Sequence, residues 1–239
     1  MNARGLSAII TIAKYFDEGE LLRIMNSTNG IITVFAGSAS RPFAQKMCDY
    51  LGVELGKSTT HIFSEGGIYV RADESIRNKD VYIVQSIGKD PNNAFTELIF
   101  WIDAFKRASA NSITAIIPYF GYAKADKKDE PRVSIRARVC ADCIEMCGAD
   151  RVVTMDLHAA QVQGFFSKPV DHLYASALLC EYARHLGIVN ENLVVVSPDA
   201  GSAKRARHTQ TFSAAMLQSA TRFASATTKT PMHLRLSAM

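Results

Sequence analysis

The chain has 239 residues, 48% of them apolar, and a formal net charge of +4. That charge is too small to argue for a nucleic-acid partner, and no apolar stretch approaches the roughly 20 residues of a membrane span. Five cysteines, an odd number, in a chain without a secretory leader point to reduced thiols and a cytoplasmic location.

Residues 1–29 read as an N-terminal extension, in which the apolar run Leu6–Ile12 precedes Asp17-Glu18-Gly19-Glu20. Ile31-Ile32-Thr33-Val34-Phe35-Ala36 is a strand. Gly37-Ser38-Ala39-Ser40 is a turn, and Arg41 to Leu51 repeats apolar residues at helical spacing until Gly52 stops it. Strands are predicted over 81–86 and 112–118, with an amphipathic helix over 93–109 between them. A helix over 139–147, closed by Gly148, leads to the apolar strand 151–155. A helix around 175–186 and the strand 193–197 follow. Strands alternating with long helices predict βαβ units and an α/β fold with a parallel sheet. Cys140, Cys143 and Cys147 recur at i, i+3 and i+7, which fits either a buried helix face or a metal or redox site. No fourth ligand stands at zinc-like spacing.

Three segments carry chemistry. Asp156 and His158 directly follow the strand 151–155, two residues apart in extended chain and so on one side of it. Ligands of open α/β sheets lie at the carboxyl ends of the strands. An acid and an imidazole there can hold a divalent cation, with water or phosphate oxygens completing its shell; the alternative is a structural Asp–His hydrogen bond in a turn. Tyr119 to Arg138 is a charged loop containing Lys124, Asp126, Lys127, Lys128, Asp129, Arg132, Arg136 and Arg138. It could close over phosphates, or it is a solvated surface loop. Asp199, in Ser197-Pro198-Asp199-Ala200-Gly201, ends an apolar strand ahead of Lys204-Arg205-Ala206-Arg207. That position suits a hydroxylated or phosphorylated ligand, or simply a helix cap.

The sixteen-residue run Asp156-Leu157-His158-Ala159-Ala160-Gln161-Val162-Gln163-Gly164-Phe165-Phe166-Ser167-Lys168-Pro169-Val170-Asp171 closely resembles the signature of ribose-phosphate diphosphokinases. Those enzymes make phosphoribosyl diphosphate from ATP and ribose 5-phosphate for nucleotide biosynthesis. Phe35-Ala36-Gly37-Ser38, Asp80-Val81-Tyr82-Ile83-Val84-Gln85-Ser86 and the segment around Asp199 extend the resemblance from Val34 to about Arg207.

The resemblance implies two tandem phosphoribosyltransferase-like α/β domains. The first, on the ATP side, would cover 30–175. The second would begin over 176–207 and remain incomplete. Residues 208–239 would be a divergent tail, disordered or produced by a frameshift or an alternative chain end. It also implies Mg2+ as cofactor, held by Asp156, His158, Asp171 and Asp199, with His158 in the catalytic centre. Phe63, Lys124, Asp126, Lys127, Lys128, Asp129 and His158 would contact ATP, and Asp199 would face ribose 5-phosphate.

The chain departs from the family at two places. Lys124-Ala125-Asp126 stands where Arg-Gln-Asp is usual, so Arg's planar fork is lost. After Phe63, which could stack on adenine across a subunit contact or pack in a core or interface, Glu65 replaces an Asn or Asp and Gly67 a Glu. No Asp or Glu follows Asp199, so the family's acidic ribose-phosphate loop has no counterpart here, and neither does its catalytic flap. The implied partners are therefore ATP and ribose 5-phosphate, in a homo-oligomer or in a hetero-oligomer with a full-length homologue. A non-catalytic, assembling or regulatory homologue is the alternative.

Overall fold

In the computed structural model, residues 32–187, 194–197 and 216–217 are described. The N-terminal extension, Asp199 and nearly all of the tail lie outside them. The chain divides into two compact units, with the division between Ala175 and Ser176.

In the first unit, strands β1 (Ile32–Ala36), β4 (Asp80–Val84), β5 (Ser112–Ile117), β6 (Arg151–Met155) and β7 (Val170–Leu173) form one sheet in that order. Every neighbouring pair is parallel, so the expected parallel α/β sheet is what forms. Helices α1 (Arg41–Leu51), α2 (Pro91–Arg107) and α3 (Arg136–Cys147) lie in the connections. Strands β2 (Ser58–Ile62) and β3 (Ile68–Ala72) make a separate antiparallel hairpin.

Alternation along the strands divides the core between two faces. Phe35, Ile83, Ala115 and Val152 pack with Leu98 and Trp101 of α2 and with Ile144 of α3. Val34, Ala36 and Val84 pack with Ala44 and Cys48 of α1. Strands buried on both faces must be apolar nearly throughout, which is why they stand out in the sequence.

Two helices start earlier than periodicity predicts. Pro91 supplies the first turn of α2, and the Asp90 carboxylate accepts the Asn93 N–H at 3.3 Å. The start of α3 moves to Arg136, where the Ala137 N–H donates to the Ala125 carbonyl. Gly52 and Gly148, both left-handed, close α1 and α3 as expected.

Cys48, Cys140, Cys143 and Cys147 are free thiols. On α3, Cys140 packs inward beside Ala137, Ala141 and Ile144, while Cys143 and Cys147 are half-buried. Burial pushes the Cys48 and Cys140 thiols up from 9.0 to about 11. Their neutral forms therefore favour the fold fully below the ordinary thiol value, and that contribution fades as pH rises through about 11. Iodoacetamide at about pH 8 is expected to spare both in the folded protein and to label both after denaturation, because only an accessible thiolate reacts. Mass spectrometry reads the result, and rapid labelling of either in the native state would contradict it.

The second unit contains α4 (Ser176–His185) and two short strands, β8 (Val194–Val195) and β9 (Met216–Leu217). Within the strand predicted at 193–197, Val194 and Val195 pair in parallel with Met216 and Leu217. Backbone groups need partners whatever the side chains are, and so short a strand leaves no periodic trace. Among the described residues no helix is long and apolar enough to cross a membrane.

Candidate functional site

Because the five strands are parallel, Ala36, Val84, Ile117, Met155 and Leu173 all end on one edge of the sheet. The turn 37–40, the charged loop after β5 and the run after β6 all leave from that edge.

The run after β6 does not begin in extended chain. Asp156 has φ +46°, a left-handed conformation that Asp tolerates better than most residues. This corrects the expectation of continuous extension through His158. Burial nevertheless alternates: Asp156 is exposed, Leu157 is plugged into the main core, and His158 is exposed. The buried leucine thus turns the acid and the imidazole outward. They do not hydrogen-bond to each other, so the structural Asp–His pair is absent.

The kink is held by β7. The Asp156 N–H donates to the Leu173 carbonyl at 2.9 Å, and the Leu157 N–H donates to His172 Nε2 at 2.9 Å. The Asp156 carboxylate accepts the Ala175 N–H at 3.4 Å. A backbone N–H can only donate, so Nε2 is the bare nitrogen and the neutral ring carries its proton on Nδ1. Burial lowers the His172 pKa, and the Asp156 carboxylate opposes that shift. The far end of the run is tied to α3, where Glu145 Oε1 accepts the Ser167 and Lys168 N–H groups at 2.5 and 2.7 Å.

The charged loop is anchored at both ends. Phe120 and Ala123 are buried, the Tyr122 hydroxyl bonds Asn92, and the Ala125 carbonyl accepts the Ala137 N–H. Between these ties Lys124, Lys127, Lys128 and Asp129 are exposed, and Asp126 is half-buried. The Phe120 and Phe166 rings meet edge to face at 6.1 Å, so the base of the loop packs on the Asp156–Asp171 run. Arg138 turns away to Asp142 at 2.8 Å on its own helix.

Phe63 sits at the turn of the β2–β3 hairpin. Its N–H donates to the Gly67 carbonyl at 2.8 Å, and 45% of the residue is exposed beside His61 and Tyr69. It therefore does not pack in the core of this chain.

Asp171 is not gathered with the others. It lies opposite Val153, and its carboxylate pairs with Arg151 at 2.7 Å, toward the start of β6 and away from Asp156. Asp199 lies outside the described residues. Among those residues no three His, Cys, Asp or Glu side chains converge into a metal cage. A hard cation with few protein ligands fits this arrangement. Mg2+ usually keeps several waters and takes one or two carboxylates plus phosphate oxygens, and the exposed Asp156 with neighbouring His158 supplies such a partial shell.

Two residues were not picked out from the sequence. His172 sits in a four-residue strand with no alternating pattern. Glu97 lies on α2 but is only 3% exposed. Its carboxylate accepts from the Ser38 N–H and hydroxyl, the Thr60 hydroxyl, the Gln85 amide and the Trp101 indole. The signal was its place on the stripe of Ala94, Leu98 and Trp101.

The fold puts the chain among the open parallel α/β proteins, with ligand-competent groups on the carboxyl edge of the sheet. Residues 32–148 match the family model for the N-terminal domain of ribose phosphate pyrophosphokinase. A ribose-phosphate pyrophosphokinase of Deinococcus radiodurans is 49% identical over 182 residues, covering 76% of this chain and 57% of that protein. A chloroplastic one of Arabidopsis thaliana is 44% identical over 197 residues, covering 82% and 49%. The crystal structure of phosphoribosylpyrophosphate synthetase from Mycobacterium smegmatis superposes with a TM-score of 0.73 at 40% identity, covering 79% of this chain and 63% of that one. The chain belongs to the ribose-phosphate pyrophosphokinase family. It spans between about half and three fifths of the length of these curated relatives.

Proposed function

We propose that this chain supplies the Mg-ATP side of a ribose-phosphate diphosphokinase, which transfers the β,γ-diphosphoryl group of ATP to the C1 hydroxyl of ribose 5-phosphate. The observation that carries the reading is the outward-facing Asp156 and His158 on the carboxyl edge, beside the anchored base of a lysine-rich loop. The C1 oxygen bonds to the β-phosphorus, the bond from that phosphorus to the α,β-bridging oxygen breaks, and AMP leaves. Phosphoryl transfer asks little covalent chemistry of a protein; positioning and charge stabilisation supply most of the rate.

Asp156 and His158 would hold Mg2+, which neutralises phosphate charge when bound. Lys124, Lys127 and Lys128 would offset charge on the departing AMP and the moving diphosphoryl group, and Asp126 and Asp129 would line the ATP side with them. Phe63, exposed at its hairpin turn, offers an aromatic face to adenine in a homo-oligomer or beside a full-length homologue. Asp199 is assigned to the ribose 5-phosphate side and to the metal by family resemblance.

The test is calorimetric binding of Mg-ATP, followed by AMP release once ribose 5-phosphate is added. His158→Ala should weaken Mg-ATP binding by about ten- to a hundredfold, the equivalent of one charge-assisted contact. Absence of Mg-ATP binding by the unaltered chain would overturn the reading. Binding without AMP release would favour the second reading, a non-catalytic subunit that assembles with a full-length relative.

A further inference from the structure

We infer that His172 is a positioning residue for Asp156 and His158, acting through the bare Nε2 of its neutral ring. This inference rests on the functional reading above. Nearly everything that fixes the direction of the two outward side chains passes through Leu157 and the two residues of β7 beside it. The Leu157 side chain is buried in the main core. Its N–H points out of the left-handed kink at Asp156, where the ladder between β6 and β7 has ended at Met155 and Leu173. A buried backbone N–H without an acceptor costs roughly 1–3 kcal/mol, and no carbonyl is offered to this one. The acceptor is a side chain, His172 Nε2 at 2.9 Å, next in sequence to the Leu173 carbonyl that takes the Asp156 N–H.

The ring is itself held. It lies 4.3 Å from the Tyr174 ring. His172 thus ties the residue ahead of His158 to the sheet. It makes no claim on the ligand itself, since Nε2 is spent on the Leu157 N–H. Groups that orient a metal ligand without touching the metal change affinity by about ten- to a hundredfold when removed.

Two variants separate the acceptor nitrogen from the bulk of the ring. Gln places an acceptor oxygen near the position of Nε2, whereas Leu fills the space with none. Three measurements are made on each: thermal melting, hydrogen exchange at the Leu157 amide, and Mg-ATP affinity by calorimetry. In His172→Leu, exchange at Leu157 is expected to speed up at least about tenfold and Mg-ATP affinity to fall by about ten- to a hundredfold. His172→Gln should recover most of both. Equal losses in Gln and Leu would overturn the inference in favour of ring packing, as would unchanged exchange in Leu. Unchanged Mg-ATP affinity in Leu, against clear binding by the unaltered chain, would also overturn it. A variant that melts together with the unaltered chain yet loses affinity supports it. Failure of the unaltered chain to bind Mg-ATP would sink the functional reading instead, and exchange at Leu157 would still decide whether the ring holds the turn.

Discussion

Replacing Glu97 with Ala is expected to lower stability by about 3–5 kcal/mol, the range seen when a buried charged partner is removed. The carboxylate is 3% exposed and collects five donors from four different elements. Oε1 takes the Ser38 N–H at 2.9 Å, the Thr60 hydroxyl at 3.2 Å and the Trp101 indole N–H at 3.3 Å. Oε2 takes the Ser38 hydroxyl and the Gln85 amide at 2.9 Å. Truncation leaves all five without their acceptor, and each buried orphan costs roughly 1–3 kcal/mol unless water reaches it. The sum is not additive, because a cavity of that size admits some solvent. Glu97→Gln keeps the shape and replaces one acceptor with a donor, so a smaller loss of about 1–2 kcal/mol is expected. Denaturant unfolding of the three proteins checks the order. An Ala variant within about 1 kcal/mol of the parent would mean that the network is already hydrated.

Gly121→Ala is the second large effect, because it strikes where the charged loop leaves the sheet. A Cβ at this position would lie 2.4 Å from the Ile87 carbonyl oxygen and 2.6 Å from Ile87 Cγ2. The Ile87 backbone cannot retreat cheaply, since its N–H donates to the Tyr119 carbonyl at 2.9 Å and its side chain is fully buried. Overpacking of this kind costs roughly 1–3 kcal/mol, and contact with backbone rather than a side-chain tip puts the change at the upper end. The strain is relieved by moving the loop, which carries Lys124, Lys127 and Lys128. Under the proposed function Mg-ATP affinity should fall by at least about tenfold, since misplacement of about 1 Å is enough for that. Thermal melting and calorimetry measure the two effects. A fully stable variant with unchanged affinity would place the lysines outside the nucleotide site.

The parts of the molecule that could be read from residue order share a physical reason. Each of β1, β4, β5 and β6 is covered on both faces, so its sequence is a nearly unbroken apolar run. Helices α1 and α3 end at left-handed glycines, a local requirement that leaves a local mark. The β2–β3 hairpin is not legible as strands, because Ser58, Thr59, Thr60 and His61 are only half-buried or exposed and carry no core signal. Strand β7 leaves no clear mark in the sequence because Val170–Leu173 is short and mixes Asp and His into the ladder.

The same division runs through the candidate site. Asp156 and His158 could be found as a pair because their separation along the chain and their position after an apolar strand are properties of order alone, and the resemblance to the family is carried first by that run. Asp171 belongs to the same run, yet its partner is Arg151, twenty positions earlier and one strand across. His172 and Glu97 act through hydrogen bonds that exist only once β7 lies beside β6 and α2 packs over the turn 37–40. Residue order therefore settled the fold class and the location of the acid–imidazole pair, since each depends on periodicity or spacing within one segment, and the family through resemblance to known sequences. The kink at Asp156, the acceptor that holds it and the loss of Asp171 to an ion pair were decided by tertiary structure, because each depends on which atoms of distant segments come within hydrogen-bonding distance.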